Sequence, residues 1–268
     1  MDNEKYFEWL KRARLIDDGF FILCFSDNVP CVEYILQIIL DKEDLKVESV
    51  EMQKTIENLY GRSVRLDAFA TDDNGKMYNI EVQRTDEGAM PNRARYNSAM
   101  MDYHKLKEGA KFKELPESFV IFITENDVLK GGEIIYHIDR IVKETGKNFG
   151  DGTHIIYVNG SYKDESGSLL ADLIHDLFCT NPADMKLAKL AERAAFVKGN
   201  KGWELNQMNP LFAEIFKDEL EEAHTKGVQE NFLANVRELM KNLHFTAAQA
   251  MDALGVPADK QKEYADLI

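Results

Sequence analysis

The chain of 268 residues contains few cysteines, no long apolar run and too little positive charge to balance its acids. The three cysteines, Cys24, Cys31 and Cys179, are an odd number without CxxC spacing, so we expect neither a disulfide framework nor a zinc site. No stretch approaches the ~20 consecutive apolar residues of a membrane-spanning helix, and we expect no membrane partner. The motif GxxxxGK[ST] is also missing, so ATP is not expected as a ligand.

The N-terminal segment lacks the features of a secreted protein. It contains acids and no apolar segment of the kind found in signal peptides, which predicts a cytoplasmic protein. A hydrophobic content of 44% and a charged content of 30% are ordinary for a globular protein. The length suits one large domain with an appendage, or two small domains.

The net charge of −14 is unfavourable for binding nucleic acid, because proteins that bind it usually present basic surfaces. The charge is unevenly distributed. Residues 84–113 contain seven Lys or Arg against four Asp or Glu, whereas residues 204–268 contain six against twelve. A locally basic helix on an acidic body can still face phosphate, and metal ions in a site would offset part of the repulsion.

The segment Ser63–Arg84 has the pattern of a β-hairpin. Apolar residues recur at even positions on both sides of a turn, at Val64, Leu66, Ala68, Ala70, Tyr78, Ile80 and Val82. This period of two predicts two strands that bury one face. The turn is Asp73-Asn74-Gly75, and its length determines which residues of the two strands face each other.

A three-residue loop with a left-handed Gly75 pairs residues whose numbers add up to 148. In this register the apolar residues oppose one another, whereas a two-residue loop would oppose Leu66 to Gln83 and mix the faces. We therefore predict that Asp67 lies directly across from Glu81, on the face away from the core, with Gln83 on the diagonal. Directly opposed Cβ atoms are about 4.5–5.5 Å apart.

Two carboxylates side by side repel each other, so a positive group is expected between them. Carboxylate oxygens are the ligands that Mg²⁺ and Mn²⁺ prefer, with waters completing the shell. The alternative is that Asp67 and Glu81 simply face solvent on an exposed sheet. Spacing alone leaves both interpretations open.

Around the hairpin, the patterns predict the element order α-β-β-β-α-β. A helix capped by Asp27 or Asn28 and a strand at 46–52 precede it, and a helix from Pro91 to about Glu108 and a buried strand at 118–124 follow it. Residues 17–25 are interpreted as a connector. Two shorter strands come at 133–138 and 154–158, and from residue 168 onward the pattern is helical.

Asp67, followed by Glu81-Val82-Gln83, resembles the D…(D/E)xK signature of the PD-(D/E)XK nuclease superfamily, in the branch where glutamine replaces lysine. The longer runs LDAFATDDNGKMYNIEVQ and PNRARYNSAMMDYHKLKEGAKFKELPESFVIFIT are similar to the Rpn-type recombination-promoting nucleases, also described as PD-(D/E)XK nuclease family transposases. The similarity extends from about residue 17 to residue 159. The longer runs are much more specific than the short signature.

The resemblance implies an α/β (α+β) fold with a restriction-endonuclease-like core, in which helices flank a mixed sheet. We expect this nuclease domain in residues 1–200 and an all-helical C-terminal extension in residues 201–268. The implied activity is that of a DNA endonuclease that depends on Mg²⁺, with Mn²⁺ as a substitute. The long amphipathic helix of the extension suggests a homo-oligomer, although packing on the core is an alternative use.

The resemblance also implies roles for individual residues. Asp67, Glu81 and the Val82 backbone carbonyl would bind the metal, and Glu33 would be a third acid, unless it is merely an exposed helix position. Gln83 would orient the attacking water, and a second metal or Arg84 would supply the charge of the missing lysine. The resemblance implies contacts to DNA phosphates by Arg84, Arg93, Arg95 and Tyr96. The alternative is that these residues belong to a solvated helix face.

A protein of another class is the alternative. The acidic balance and the neutral Gln83 would also suit a module that keeps the nuclease fold and binds DNA or protein without turnover. Cutting of DNA that depends on a metal would distinguish the enzyme from the module.

Overall fold

A six-stranded mixed sheet is the centre of the protein, whose computed structural model describes residues 3–58, 60–163, 167–199, 231–241, 245–256, 261 and 264. The helices of the larger part are α1 (Asn3–Arg12), α2 (Asp18–Phe25), α3 (Val29–Leu40), α4 (Pro91–Lys105), α5 (Leu169–Phe178) and α6 (Ala188–Lys198). The strands are β1 (Val47–Ile56), β2 (Val64–Asp72), β3 (Met77–Gln83), β4 (Ser118–Thr124), β5 (Ile135–Ile138), β6 (Ile141–Val142), β7 (Lys147–Asn148) and β8 (Thr153–Asn159).

The strand order of the large sheet is β1-β2-β3-β4-β8-β5. The pairs β1–β2, β2–β3 and β8–β5 are antiparallel, and the pairs β3–β4 and β4–β8 are parallel. Helix α4 connects β3 to β4, as a parallel pair requires. The order α3-β1-β2-β3-α4-β4 is the predicted α-β-β-β-α-β core, and the predicted fold class is confirmed.

The hairpin of β2 and β3 has the predicted register. Ala68 pairs with Ile80 and Ala70 with Tyr78, so paired residue numbers add up to 148. Gly75 in the loop has a φ of 78°, the left-handed conformation that a three-residue connection needs. The same register places Asp67 opposite Glu81, one step beyond the last pair of the ladder.

Helices cover both faces of the sheet, and this corrects one expectation. The face that carries Asp67 and Glu81 was predicted to lie away from the core. It instead forms an apolar cluster with α4, which includes Phe69, Val120, Phe122, Tyr157, Met100 and Met101. On the opposite face, α2 and α3 contact the strands β1 to β3. The acidic pair is therefore inside the protein.

Residues 18–25 form helix α2, where the sequence predicted a connector. Every residue of α2 except Asp18 is buried. A helix that is apolar all round has no amphipathic period, so its sequence pattern does not identify it. Arg193 of α6 donates hydrogen bonds to the carbonyls of Leu23, Cys24 and Ser26, which satisfies acceptors at the end of α2.

The chain divides into two units, Met1–Asn209 and Pro210–Ile268. In the second unit, residues 231–241 are helical and a further helix, α7, spans Ala247–Ala253. A capping box begins α7, because the Thr246 and Gln249 side chains each accept a hydrogen bond from the other's backbone N–H. The predicted boundary at 200/201 lies outside the described residues and stays a prediction.

Among the described residues, no single helix is long and apolar enough to cross a membrane. Helices α2 and α3 reach that length and apolarity only as a pair, and a bend of 116° separates them.

Gly160, directly after β8, provides a test of the packing between β4 and α5. A Cβ atom at this position would lie 2.4 Å from the Thr124 carbonyl oxygen and 2.7 Å from the Phe178 ring. We expect Gly160→Ala to lower the free energy of unfolding by about 2 kcal/mol, measured by urea denaturation. Gly61→Ala is the matched control, since its Cβ would meet only the flexible Asn58 side chain. Equal losses of unfolding free energy in Gly160→Ala and Gly61→Ala would contradict this packing.

Candidate active site

Asp67 lies where the ladder between β2 and β3 ends. Its Oδ2 accepts a hydrogen bond of 3.1 Å from the backbone N–H of Val82. The carboxylate thus pairs with a main-chain donor of the neighbouring strand. Only 7% of Asp67 is exposed, so this acid is almost completely removed from water.

Glu81 is fully buried and accepts hydrogen bonds from three side chains. Asn79 and Asn97 donate to Oε1 at 3.0 and 3.2 Å, and Arg93 donates to Oε2 at 2.7 Å. Asn97 and Arg93 are four residues apart on α4 and therefore share the helix face that looks at the sheet. One helix and one strand together surround the carboxylate.

The electrostatics of the pair are dominated by burial. Desolvation and the neighbouring Glu81 charge raise the pKa of Asp67 well above its ordinary value. Desolvation also raises the pKa of Glu81, although Arg93 opposes this shift. A third acid, the exposed Asp18 at the start of α2, raises both pKa values further. Asp18 and Glu81 thus act on Asp67, and Arg93 is the cation bonded to Glu81.

These residues fit a divalent cation. Two buried carboxylates that resist ionisation gain most from a positive ion, because the ion lowers the free energy of their charged forms. Oxygen ligands suit Mg²⁺ or Mn²⁺, and waters commonly complete such shells. The buried Asn79 Oδ1 has no hydrogen-bond partner among the described residues, so the polar groups around Glu81 are not fully satisfied.

Gln83 and Arg93 lie next to the pair. Arg93 Nη1 donates to Gln83 Oε1 at 3.3 Å and to the Gly88 carbonyl at 2.8 Å. Gly88 leaves room for the end of the Gln83 side chain, since a Cβ there would lie 1.9 Å from Gln83 Oε1. The acceptor oxygen of Gln83 is thus turned toward Arg93, and its amide N–H₂ is left for other partners.

Two residues that were predicted to serve the site lie elsewhere. Glu33 accepts a hydrogen bond from the Val47 backbone N–H at 3.0 Å and pairs with Lys46, at the start of β1. Val47 pairs with Asp72, five residues along β2 from Asp67 and so roughly 16 Å away. The structure does not bring Glu33 to the acidic pair, and its proposed role as a third metal ligand is corrected.

Arg84 is also engaged elsewhere. Its guanidinium pairs with Glu125 at 3.2 Å and with Asp17 at 3.4 Å, and Arg14 contacts the same two acids. A second metal or Arg84 was expected to supply the charge of the missing lysine. In the structure Arg93 is the cation that contacts both Glu81 and Gln83.

The remaining predicted phosphate contacts, Arg95 and Tyr96, have different surroundings. The Tyr96 hydroxyl donates to the Arg62 carbonyl and accepts from Asn58, so it anchors the loop between β1 and β2. Arg95 is exposed, and no hydrogen bond or ion pair to the described residues holds its guanidinium. Because it is two residues from Arg93, it projects from the opposite side of α4.

Sequence reasoning missed Asp18, Asn79 and Asn97. Asp18 precedes a buried apolar run, and an acid at the first turn of an unrecognised helix was its only signal. Asn79 lies two residues before Glu81 and therefore on the same face of β3. Asn97 could have been found from its spacing of four to Arg93, once the orientation of α4 was known.

Comparisons with known proteins bear on this arrangement. The model of one protein family, described as PD-(D/E)XK nuclease family transposase, matches residues 25–167. This range includes the hairpin, α4 and the whole large sheet. No curated protein and no solved structure matches the chain.

The raised pKa values predict how stability depends on pH. The folded state holds protons on Asp67 and Glu81 more tightly than the unfolded state, so their contribution to stability is complete below about pH 4. It is lost as the pH rises through the raised pKa values. Asp67→Asn removes one buried charge and keeps an oxygen for the Val82 N–H. We expect this variant in EDTA at pH 8 to exceed the parent by on the order of 1 kcal/mol in free energy of unfolding.

Urea denaturation of both proteins at pH 4, 6 and 8 measures this difference, which should shrink toward pH 4. Glu87→Gln is the control, because Glu87 is an exposed acid outside the pair. A difference between Asp67→Asn and the parent that is the same at all three pH values would show that the buried charge is not its cause.

Proposed function

The chain belongs to the PD-(D/E)XK nuclease family transposases, and from this premise we propose that it is an endonuclease that hydrolyses phosphodiester bonds of DNA with a divalent metal ion. The observation that carries the proposal is the buried pair of opposed acids, Asp67 and Glu81. A protein has little use for two facing acids whose pKa values are raised by burial in a core unless a cation joins them. The nuclease part would be residues 1–200, acting in the cytoplasm without ATP.

Asp67 and Glu81 would hold Mg²⁺, or Mn²⁺ in its place, and the Val82 backbone carbonyl is a further candidate ligand. Asp18 would contribute negative charge at the edge of the site. A bound divalent ion supplies positive charge near the phosphoryl oxygens and lowers the pKa of a water. Waters and a phosphate oxygen would complete its shell.

Gln83 and Arg93 would divide the work that a lysine does in the common signature. Gln83 cannot act as a base, but its amide can orient the attacking water. Arg93 carries the charge that the amide lacks, and its guanidinium reaches both Gln83 and Glu81. As negative charge develops on the phosphoryl group, a preorganised guanidinium next to it stabilises the transition state.

DNA would approach along the basic segment 84–113. Arg95 is suited to a phosphate beyond the cleaved bond, because it is exposed and projects away from the acidic pair. The acidic C-terminal unit is a poor surface for DNA, and we propose that it serves a homo-oligomer instead. Its described cluster of Val236, Ala250 and Met251 supports a packed helical unit.

One observation favours a second function, a module that binds DNA without cutting it. Both oxygens of Glu81 already accept hydrogen bonds, and one of their donors is the Arg93 cation. If Arg93 occupied the place that a metal ion would need, no metal could bind there and the site could not hydrolyse DNA. Metal-dependent cutting distinguishes the two functions.

The enzyme is expected to nick or cut plasmid DNA in Mg²⁺ or Mn²⁺ and to be inactive in EDTA. Asp67→Asn and Glu81→Gln should reduce cutting to background, because each removes a charged metal ligand. Glu33→Gln is the matched control and should keep the parental rate, since Glu33 bonds the start of β1. Unchanged binding of DNA by every variant, with no cutting by the parent, would support the module.

Arg93→Gln is expected to lower kcat by about 10²–10³-fold, because it removes the charge beside Gln83. Arg93→Lys should retain part of the rate, and adding Gln83→Lys to Arg93→Gln should restore part of it. Arg95→Gln, the same substitution on the exposed side of α4, should weaken binding of DNA and leave kcat unchanged. Each rate is divided by the concentration of folded protein, and thermal melting determines the folded fraction. Equal losses of kcat for Arg93→Gln and Arg95→Gln would contradict the role of Arg93.

A further inference from the structure

We propose that His175, Asp176 and Cys179, at the C-terminal end of α5, form a zinc site that is separate from the acidic pair. In the described part of the chain, this is the group whose three ligand atoms lie within 4.8 Å of one another. A nitrogen, a sulfur and an oxygen ligand suit Zn²⁺, whereas Mg²⁺ prefers oxygen ligands alone. The site would thus select a different ion from the one expected at Asp67 and Glu81.

The three ligand atoms are close enough to reach one ion once the His175 ring turns. Zn–S and Zn–N bonds of about 2.3 and 2.0 Å place sulfur and nitrogen about 3.5 Å apart in a tetrahedron. Cys179 Sγ lies 3.5 Å from His175 Nδ1 and 3.8 Å from Nε2, so it is beside the ring and not in front of the Nδ1 lone pair. Asp176 Oδ1 lies 3.0 Å from the same nitrogen, a few tenths of an ångström less than the corresponding edge of about 3.3 Å. A rotation of the exposed His175 ring would be needed to direct Nδ1 toward an ion between the sulfur and the carboxylate.

Asp176 is held rigidly for such a role. It is fully buried, and its two oxygens accept hydrogen bonds of 2.8 Å from the backbone N–H groups of Lys186 and Leu187. Each carboxylate oxygen has two lone pairs, so Oδ1 retains one for a metal. Backbone donors of this kind fix the orientation of a ligand before the ion arrives.

The same three residues do not form a nucleophilic triad. In a triad the thiol and the acid contact different ring nitrogens of the histidine. Here Cys179 Sγ and Asp176 Oδ1 both lie nearest to Nδ1, and Sγ is 3.8 Å from Nε2. Burial and the charges of Asp176 and Asp184 raise the pKa of the Cys179 thiol, so it is not an activated nucleophile.

The site is accessible and can accept a fourth ligand. The His175 side chain is 42% exposed, and Cys179 is half-buried. The Asp184 carbonyl oxygen lies 3.9 Å from Cys179 Sγ, and a water or this carbonyl would complete the shell. When the metal–sulfur bond forms, the thiol proton leaves to the buffer, because the thiolate is the ligand. The pattern H-x₃-C on a helix was not recognised as a zinc motif because the expected CxxC spacing is missing.

Co²⁺ is the probe, because cobalt–thiolate bonds give a charge-transfer absorption that carboxylate sites do not. The full-length protein, stripped of metal, is titrated with Co²⁺ and then with Zn²⁺. The parent should show the thiolate band with one equivalent of Co²⁺ and lose it to Zn²⁺. Cys179→Ser should abolish the band, and His175→Gln should weaken binding at least about tenfold.

Two controls separate this site from others. His137→Gln repeats the histidine substitution at an exposed position outside the group, and Asp67→Asn disables the acidic pair. Both should keep the band with parental affinity. The absence of a band in the parent, or its persistence in Cys179→Ser, would overturn the proposal.

A measurement that needs no variant adds a second test. One equivalent of Zn²⁺ should protect Cys179 from alkylation, followed by mass spectrometry of the peptide that contains it. Cys24 and Cys31 are buried and serve as internal references. Alkylation of Cys179 at the same rate with and without Zn²⁺ would also overturn the proposal.

Discussion

The burial of two facing carboxylates is the constraint on which the rest of the structure depends. Removing one charge from water is costly, and a second like charge across the same pair of strands adds to the cost. Hydrogen-bond donors are directed at the pair: the Val82 N–H at Asp67, and two amides and a guanidinium at Glu81. One formal positive charge still faces two carboxylates, and the pKa values of both acids are raised.

The hydrogen bonds from α4 to Glu81 require this helix to be placed accurately against the sheet. Pro91 begins the helix, and the Tyr157 hydroxyl donates to the Ala89 carbonyl at 2.8 Å, which holds the preceding turn against the sheet. The missing side chain of Gly88 leaves room for Gln83, and its carbonyl accepts from Arg93. Turn, helix and strand thus form one unit in which the cation, the amide and the acids keep their order.

The sequence could predict the parts of this arrangement that depend on local chemistry. Turn length and a period of two determine the hairpin register, and hence that Asp67 opposes Glu81. It could not predict their burial, because that depends on α4 folding back over the polar face. For the same reason the face of α4 was unknown, and Arg93 was expected only as a contact to DNA phosphate. Helix α2 was missed, and Asp18 with it, since a helix buried on all sides has no period.

The ion pair of Arg93 with the buried Glu81 is weak evidence for a stabilising role, because apolar residues of similar volume commonly serve a core as well or better. Here the surroundings are apolar already: Phe122 and Tyr157 stack next to the network, and the Arg93 guanidinium lies 5.9 Å from the Phe122 ring centre. Such a core would be easier to stabilise with leucine or methionine at the acidic positions. Acids kept there at the expense of stability, with their proton affinities raised by the same burial, are the arrangement expected of a reaction centre and not of a scaffold.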